Sequence, residues 1–94
     1  MYALLIEVNA NDSHVEQARK ALPEMAVPMA KEMGAVSGVW LAPGGTDRGI
    51  SMTVFNSEQE ARQAASQFTV GQPMGPVEGV TARIIEVREV LAQL

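Results

Sequence analysis

The stretch from Leu41 to Ser51, LAPGGTDRGIS, combines three glycines with hydroxyl and charged residues, as loops that cradle phosphate groups do. A phosphate-binding loop also needs a lysine followed by Ser or Thr where a helix begins. This stretch has no lysine, and it leads into residues 50–53 (ISMT), which have the composition of a strand. We therefore predict a hairpin turn, in which Gly44, Gly45 and Gly49 supply the positive φ angles of a reversing chain.

A second set of residues combines aromatic rings with polar groups suited to binding a small molecule. Trp40 would provide a flat apolar wall with one N–H donor, Asn9 could donate to a ligand carbonyl, and an arginine could hold an anionic oxygen. The other interpretation is that the aromatic rings form the core of a dimer and the charged groups bond across its interface, and the apolar spacing favours it. The candidate ligand-binding residues are Asn9, Trp40, Ser51, Phe55, Arg83 and Arg88.

The remaining reactive residue types give weaker indications. His14 is the only histidine, and we expect it at the solvent-exposed first turn of a helix, as a surface residue rather than a catalytic base. Met25, Met29 and Met33 follow one another at four-residue intervals, which favours core packing, although flexible thioethers could also line a pocket for apolar ligands of varied shape. Without cysteine, a second histidine or spaced carboxylates, we expect neither a metal site nor a bound cofactor.

Composition limits the classes of partner. The 94 residues suit one domain, spanning 1–94, with no linker to divide them. The net charge of -4 and the absence of a basic stripe argue against nucleic acid. No apolar run approaches the roughly 20 residues that cross a bilayer, so no membrane partner is expected. The first residues, MYALLIEVNA, do not resemble a secretory signal, and the expected location is cytoplasmic.

Two helices are predicted from capping boxes that precede apolar stripes. Ser13 with Glu16 begins the first helix, whose stripe stays in phase through two prolines, indicating one bent helix or two nearly collinear pieces. Gly34 ends it. Ser57 with Glu60 begins a second, shorter helix. Strands are predicted at Tyr2 to Asn9, Val36 to Ala42, Ile50 to Phe55 and Val80 to Val87, with a loop at Thr69 to Gly79.

The order of these elements, β-α-β-β-α-β, predicts an α+β fold: a ferredoxin-like plait with both helices on one face of an antiparallel sheet. Alternation along the strands assigns Val39 and Val54 to the helix side. It assigns Leu5, Trp40 and Phe55 to the other face, which would then be a large exposed apolar patch. Such a patch predicts a homodimer in which two sheets pack face to face.

With this element order in place, two short motifs resemble a known group of proteins. Met33-Gly34 ends the first helix, and VFNSEQEA, residues 54–61, leads the third strand into the second helix. Together with the chain length, they resemble the dimeric α+β barrel superfamily, and within it the antibiotic biosynthesis monooxygenase family. The similarity covers most of the chain in element order. The resemblance implies a barrel made from two sheets, with a pocket in each subunit between the sheet and the helices.

The family's functional residues match this chain in part. The asparagine near the end of its first strand corresponds to Asn9, whereas its tryptophan just before the serine of the second helix corresponds to Phe55. Haem-degrading members need a histidine in or after the second helix, which this chain lacks, so haem degradation is not expected. The resemblance implies a cofactor-independent oxygenase acting on a small aromatic or quinol-like substrate. The alternatives are a non-catalytic homodimer that binds a small ligand, and a structural module; the mismatch at Phe55 adds weight to both.

Overall fold

Four strands form one open antiparallel sheet in the computed structural model, which describes all residues from 1 to 94. The strands are β1 (Tyr2–Asn9), β2 (Ala35–Leu41), β3 (Arg48–Phe55) and β4 (Thr81–Glu89). Their order across the sheet is β2-β3-β1-β4, and every neighbouring pair is antiparallel. Two helical runs accompany the sheet, so the α+β class predicted from the sequence is confirmed, and the arrangement is compatible with a ferredoxin-like fold.

The first helix, α1, is one continuous run through both prolines, as predicted. It consists of Val15–Ala21, a wider π-type turn at Leu22–Ala26, and Val27–Glu32, and the residues at both junctions keep right-handed helical angles. The π-type turn contains Pro23, whose missing N–H removes one hydrogen bond from the regular helical ladder. The helix ends at Gly34, which has a φ of 101°. Neither helix of the chain combines the length and the apolar character needed to cross a membrane.

The start of α1 differs from the predicted Ser13–Glu16 capping box. A short 3₁₀ turn at Asp12–His14 precedes the helix, and its cap is Asn11. The Asn11 side chain accepts a hydrogen bond from the Ser13 backbone N–H at 2.9 Å, and His14 Nδ1 accepts one from the Asn11 backbone N–H at 3.1 Å. Asparagine caps as well as serine does, and Glu16 is drawn into an ion pair with Arg19 instead. The prediction therefore placed the cap two residues too late.

The second helix, α2 (Glu58–Ala65), has the predicted cap at Ser57. The Ser57 hydroxyl accepts from the Glu60 backbone N–H at 3.2 Å and donates to the Glu60 carboxylate at 3.0 Å. Small residues let this helix lie directly against the sheet, and they form a closely packed core with two strands. The core cluster consists of Leu4, Ile6, Phe55, Ala61 and Ala64.

The hairpin between β2 and β3 is present as predicted, with one difference. Gly44 and Gly45 have φ angles of 59° and 84°, and the Thr46 N–H donates to the Pro43 carbonyl at 3.1 Å. Gly49 does not share the positive φ expected for it, because it already lies in extended strand β3. It is buried opposite Val8, and a Cβ added there would lie 3.2 Å from Val8 Cγ2. Its lack of a side chain leaves room for Val8 on the neighbouring strand.

The register of β3 corrects the predicted assignment of sheet faces. Leu4 pairs with Thr53, and Trp40 pairs with Ser51, so that Trp40 and Phe55 lie on the helix side. Val39 pairs with Met52 on the opposite face, where Val54 also lies. The prediction was wrong for β2 and β3 because both faces of these strands carry apolar residues. Alternation alone cannot decide between two apolar faces.

Candidate functional site

A cavity of about 490 Å³ lies between helix α1, the helix side of the sheet, the hairpin and the loop before β4. Its lining is predominantly apolar, with 19 hydrophobic residues among 27. Ligand-binding cavities in proteins usually measure about 300–1,000 Å³ and combine apolar walls with a few polar groups. This is therefore the candidate functional site of the chain.

The sheet forms the floor of the cavity, and the side chains of β3 that face the cavity are small. Successive cavity-facing residues of this strand are Gly49, Ser51 and Thr53, which are small compared with Leu4 and Ile6 on the neighbouring strand. A sheet packs against a helix at native density only where side chains fill the gap between them. A glycine and two small hydroxyl residues in a row leave that gap open.

The roof of the cavity is the apolar stripe of α1, which includes Ala18, Leu22 and Met33. Met25 and Met29 also line the cavity, but their exposed fractions are 59% and 41%. The prediction that these methionines pack in the core is therefore wrong for Met25 and Met29, since α1 spans the gap instead of closing it. Met33, near the end of α1, is half-buried and does pack against the core cluster.

One side wall is the indole of Trp40, the only tryptophan of the chain. The ring lies close to Gly38 on the same strand: a Cβ added to Gly38 would be 3.3 Å from two of its ring carbons and 3.0 Å from Thr53 Cγ2. Any larger residue at position 38 would push the indole or Thr53 aside. The absence of a side chain at Gly38 therefore leaves room for the Trp40 ring beside the small residues of β3.

The opposite wall comes from the loop at residues 66–80, which folds back against β4. The Met74 N–H donates to the Val80 carbonyl at 2.8 Å, and the Ala82 N–H donates to the Gln72 carbonyl at 2.9 Å. These bonds turn Val77 and Val80 inward, where both are buried and line the cavity. The loop predicted at Thr69 to Gly79 is thus present, and it closes one side of the site.

His14 lines the cavity and is half-buried, which corrects the expectation of a solvent-exposed residue. Its Nδ1 accepts a hydrogen bond from the Asn11 backbone N–H, so in the neutral imidazole the proton resides on Nε2. Nε2 lies at the Gly79 end of the loop, 3.4 Å from where a Cβ of Gly79 would be. The capping box therefore orients the ring and directs an N–H donor away from the helix start.

Charged groups are scarce around the cavity. Its lining contains no carboxylate, and Arg19 and His14 are its only basic residues. Arg19 is largely exposed and pairs with Glu16 at 3.3 Å. No group of three or more His, Cys, Asp or Glu side chains in the chain is arranged to hold a metal ion. The polar groups available inside are hydroxyls and ring N–H groups.

Of the residues predicted to bind a ligand, Trp40 and Ser51 line the cavity and the other four lie elsewhere. Asn9 is exposed at the end of β1, and its amide donates to the Thr81 hydroxyl at 3.1 Å. Phe55 is fully buried under α2. Arg83 pairs with Asp47 at 3.6 Å, and Arg88 pairs with Glu86. These ion pairs are exposed, so neither arginine contributes to the interior of the site.

Sequence reasoning missed the cavity-facing residues Gly49 and Thr53 and the apolar loop residues Val77 and Val80. A signal for the first pair was present. Gly49, Ser51 and Thr53 are small at every second position of one strand, which indicates an underfilled layer on whichever face they share. For the loop no comparable signal exists, because its glycines and prolines do not indicate on which side it folds.

A second apolar surface lies on the face of the sheet that the helices leave uncovered. Val39 is 52% exposed, Met52 is also exposed, and both line a shallow hollow together with Val54. The strand register adds Leu5, paired with Met52, to the same face. The exposed apolar face predicted from the sequence therefore exists, but with aliphatic side chains and methionine in place of Trp40 and Phe55.

Comparisons of the chain with protein-family models, with curated proteins and with solved structures find no match.

Proposed function

We propose that this protein binds a small, largely apolar molecule in the cavity between α1 and the sheet. The observation that carries the proposal is the size of the cavity together with its apolar lining. An engineered apolar cavity of about 150 Å³ holds one benzene molecule. The present cavity is about three times as large, which suits a ligand of two or three fused rings.

The arrangement of the walls supports the same proposal. Packed interiors contain few voids larger than a water molecule, whereas here three features together keep a void open. The small residues of β3 lower the floor, Gly38 leaves room for the Trp40 ring at one side, and the loop places Val77 at the opposite side. Methionines along the roof add adaptable contact surface, since their side chains adjust to ligands of varied shape.

The single tryptophan provides a direct test. Because Trp40 lines the cavity, binding of naphthalene should change its fluorescence in a saturable manner. Ala18→Phe adds a ring to the roof and should abolish the saturable change. Gln17→Phe adds the same ring to the exposed side of α1 and should leave it intact. Equal saturable signals from both variants would place the binding outside the cavity and contradict the proposal.

We further propose that the fold is the ferredoxin-like plait of a dimeric α+β barrel, with two sheets packed through their uncovered faces. Support comes from the strand order, from the α-helices on one side of the sheet, and from the exposed apolar residues Val39 and Met52 on the other. Burial of such residues contributes about 25 cal/mol per Å² before the cost of association is subtracted.

Light scattering after size-exclusion chromatography at micromolar concentration tests the dimer. The wild-type chain should elute with twice its monomer mass. Met52→Lys places a charge at the centre of the face and should yield monomers. Gln63→Lys, on the exposed side of α2, should not. A monomeric wild-type chain would contradict the dimer proposal. It would not bear on the proposal that the cavity binds a ligand.

A cofactor-independent oxygenase, as the family resemblance implies, is a second proposed function. An apolar cavity that is large enough for a planar aromatic molecule and has an imidazole in its lining favours it. The lining contains no carboxylate, and the one lone pair of a neutral His14 ring, on Nδ1, accepts from Asn11, so this bond would have to break before His14 could take a proton from the substrate. Dioxygen consumption with a panel of hydroquinones and anthrones tests the activity. If the protein binds these compounds but consumes no dioxygen, the oxygenase proposal fails and the binding proposal stands.

A further inference from the structure

Thr53 is the most deeply enclosed polar residue of the cavity. It lies in the middle of β3, is only 8% exposed and faces the helix side of the sheet opposite Leu4. Its methyl carbon points toward Gly38. None of the side-chain hydrogen bonds of the chain engages its hydroxyl.

The Thr53 hydroxyl therefore opens onto the cavity. No side-chain oxygen or nitrogen that is completely enclosed lacks a hydrogen-bond partner. A hydroxyl without a partner must then retain some accessible surface, and at this position the accessible space is the cavity. A ligand that fills the cavity would exclude water from this hydroxyl, and a buried polar group that is left unpaired costs free energy. A ligand oxygen at this point would restore the missing bond.

The charges around the cavity indicate that this ligand is uncharged. A carboxylate moved from water into an apolar site needs a cation or several hydrogen bonds to offset its lost hydration. The only permanently charged group of the lining is Arg19, whose side chain is 71% exposed and already pairs with Glu16. A hydroxyl or carbonyl oxygen has no such requirement, and the threonine hydroxyl can donate to it or accept from it.

We propose that the ligand is a neutral, mostly apolar compound that carries a hydroxyl or carbonyl oxygen and binds with this oxygen on Thr53. This inference rests on the proposed binding function and specifies the class of ligand. Ser51 lies two residues away on the same face of β3, about 7 Å along the strand, and lines the cavity as well. A second ligand oxygen at that distance from the first would meet the Ser51 hydroxyl. The two hydroxyls of β3 would therefore favour ligands whose oxygens have this spacing.

Three probes of nearly equal size separate the contributions of apolar surface, a neutral hydroxyl and a negative charge to binding. Naphthalene has no polar group, 2-naphthol adds a neutral hydroxyl, and 2-naphthoate adds a negative charge. Their dissociation constants are measured by Trp40 fluorescence or calorimetry on the wild-type chain, on Thr53→Val and on Thr81→Val. Valine keeps the shape of threonine without its hydroxyl. Thr81 is the matched control because it lies at the start of β4, outside the cavity lining.

We expect 2-naphthol to bind more tightly than naphthalene, and 2-naphthoate to bind most weakly. Thr53→Val should weaken the binding of 2-naphthol about two- to tenfold, the range for one net hydrogen bond. It should leave the affinity for naphthalene unchanged or slightly higher, and Thr81→Val should change the affinity for neither compound. A circular dichroism spectrum and a naphthalene affinity equal to those of the wild type verify that Thr53→Val folds.

Three results would overturn the inference. If Thr53→Val changes 2-naphthol and naphthalene equally, the hydroxyl does not recognise the ligand oxygen. If 2-naphthoate binds most tightly, the site selects anions through Arg19 or His14. In both cases naphthalene still binds and the proposed binding function stands. If no probe binds in a saturable manner, the binding function fails and the inference fails with it.

Discussion

The two halves of the helix side of the sheet are built differently. Under α2, the core cluster is closed: Phe55 and Ala61 are fully buried, and Leu4 and Ala64 nearly so. Under α1, no residue of the helix before Ala30 is buried, and a cavity separates the helix from the sheet. One sheet therefore supports a packed half and a hollow half.

The difference comes from where the small residues lie. In the packed half, alanines on α2 let the helix approach the sheet, and the Phe55 ring fills the space between them. In the hollow half, the small residues lie on the strand instead, and the helix has no large side chain that fills the gap they leave. Small residues thus produce contact in one half and a cavity in the other. We therefore expect substitutions in the packed half to change stability, and substitutions in the hollow half to change the binding of the proposed ligand.

The largest effect is expected from Phe55→Ala in the packed half. It should lower the free energy of unfolding by about 3–5 kcal/mol, because it removes a fully buried ring and leaves a cavity. Urea denaturation followed by circular dichroism, at one fixed protein concentration, measures the change. A loss below about 1 kcal/mol would show that the core cluster does not carry the stability assigned to it.

The next largest effect is expected from Ala64→Leu, also in the packed half. The added methyl groups have no space between α2 and the sheet, so we expect a loss of about 1–3 kcal/mol from overpacking. The same denaturation experiment measures it. An unchanged unfolding midpoint would mean that α2 moves away from the sheet at little cost, and the contrast between the two halves would weaken.

Ala18→Leu is the same substitution as Ala64→Leu, but in the hollow half. It should not lower the free energy of unfolding. Its side chain enters the cavity, so the free energy of unfolding should stay the same or rise by about 0.5–2 kcal/mol, as for other cavity-filling changes. Binding of naphthalene should weaken in parallel, because the volume available to it falls. A destabilisation equal to that of Ala64→Leu would indicate that the hollow half has no spare volume in solution.

The smallest effect is expected from Met25→Ala. Because this side chain is more than half exposed on the roof, its loss should change the free energy of unfolding by less than about 0.5 kcal/mol. Affinity for naphthalene should still fall, since the methionine contributes contact surface to the cavity. The two measurements together separate function from stability at one residue. A large loss of stability would place Met25 in the core after all.

Much of the fold follows from local sequence. The cap at Ser57, the stop at Gly34 and the glycine-rich hairpin turn are each fixed within a few residues, because hydrogen bonds and positive φ angles at these points are local requirements. The stripe of α1 also stays in phase through Pro23 and Pro28, and the turn that contains Pro23 is wider than a regular one whereas Pro28 lies in a regular turn. Before α1, Asn11 caps the short 3₁₀ turn that leads into the helix, in place of the predicted cap at Ser13.

The candidate site followed from the sequence only in part. Trp40 and Ser51 belong to the cavity, but Phe55 was grouped with them although it lies in the closed core. Asn9 and the two arginines were chosen for their chemistry, and their positions at strand ends and edges leave them in solvent. Side-chain chemistry indicates what a residue can bind. It does not indicate which residues share a space.

The sequence by itself determined the order of the elements, their approximate bounds and the existence of two apolar sheet faces, since periodicity and capping are properties of neighbouring residues. Tertiary structure decided which face each residue of β2 and β3 occupies, because that depends on the pairing of Leu4 with Thr53 and of Trp40 with Ser51. It also decided that the small residues of β3 lie beneath α1 rather than α2. The cavity results from that long-range pairing, and no stretch of the chain encodes it alone.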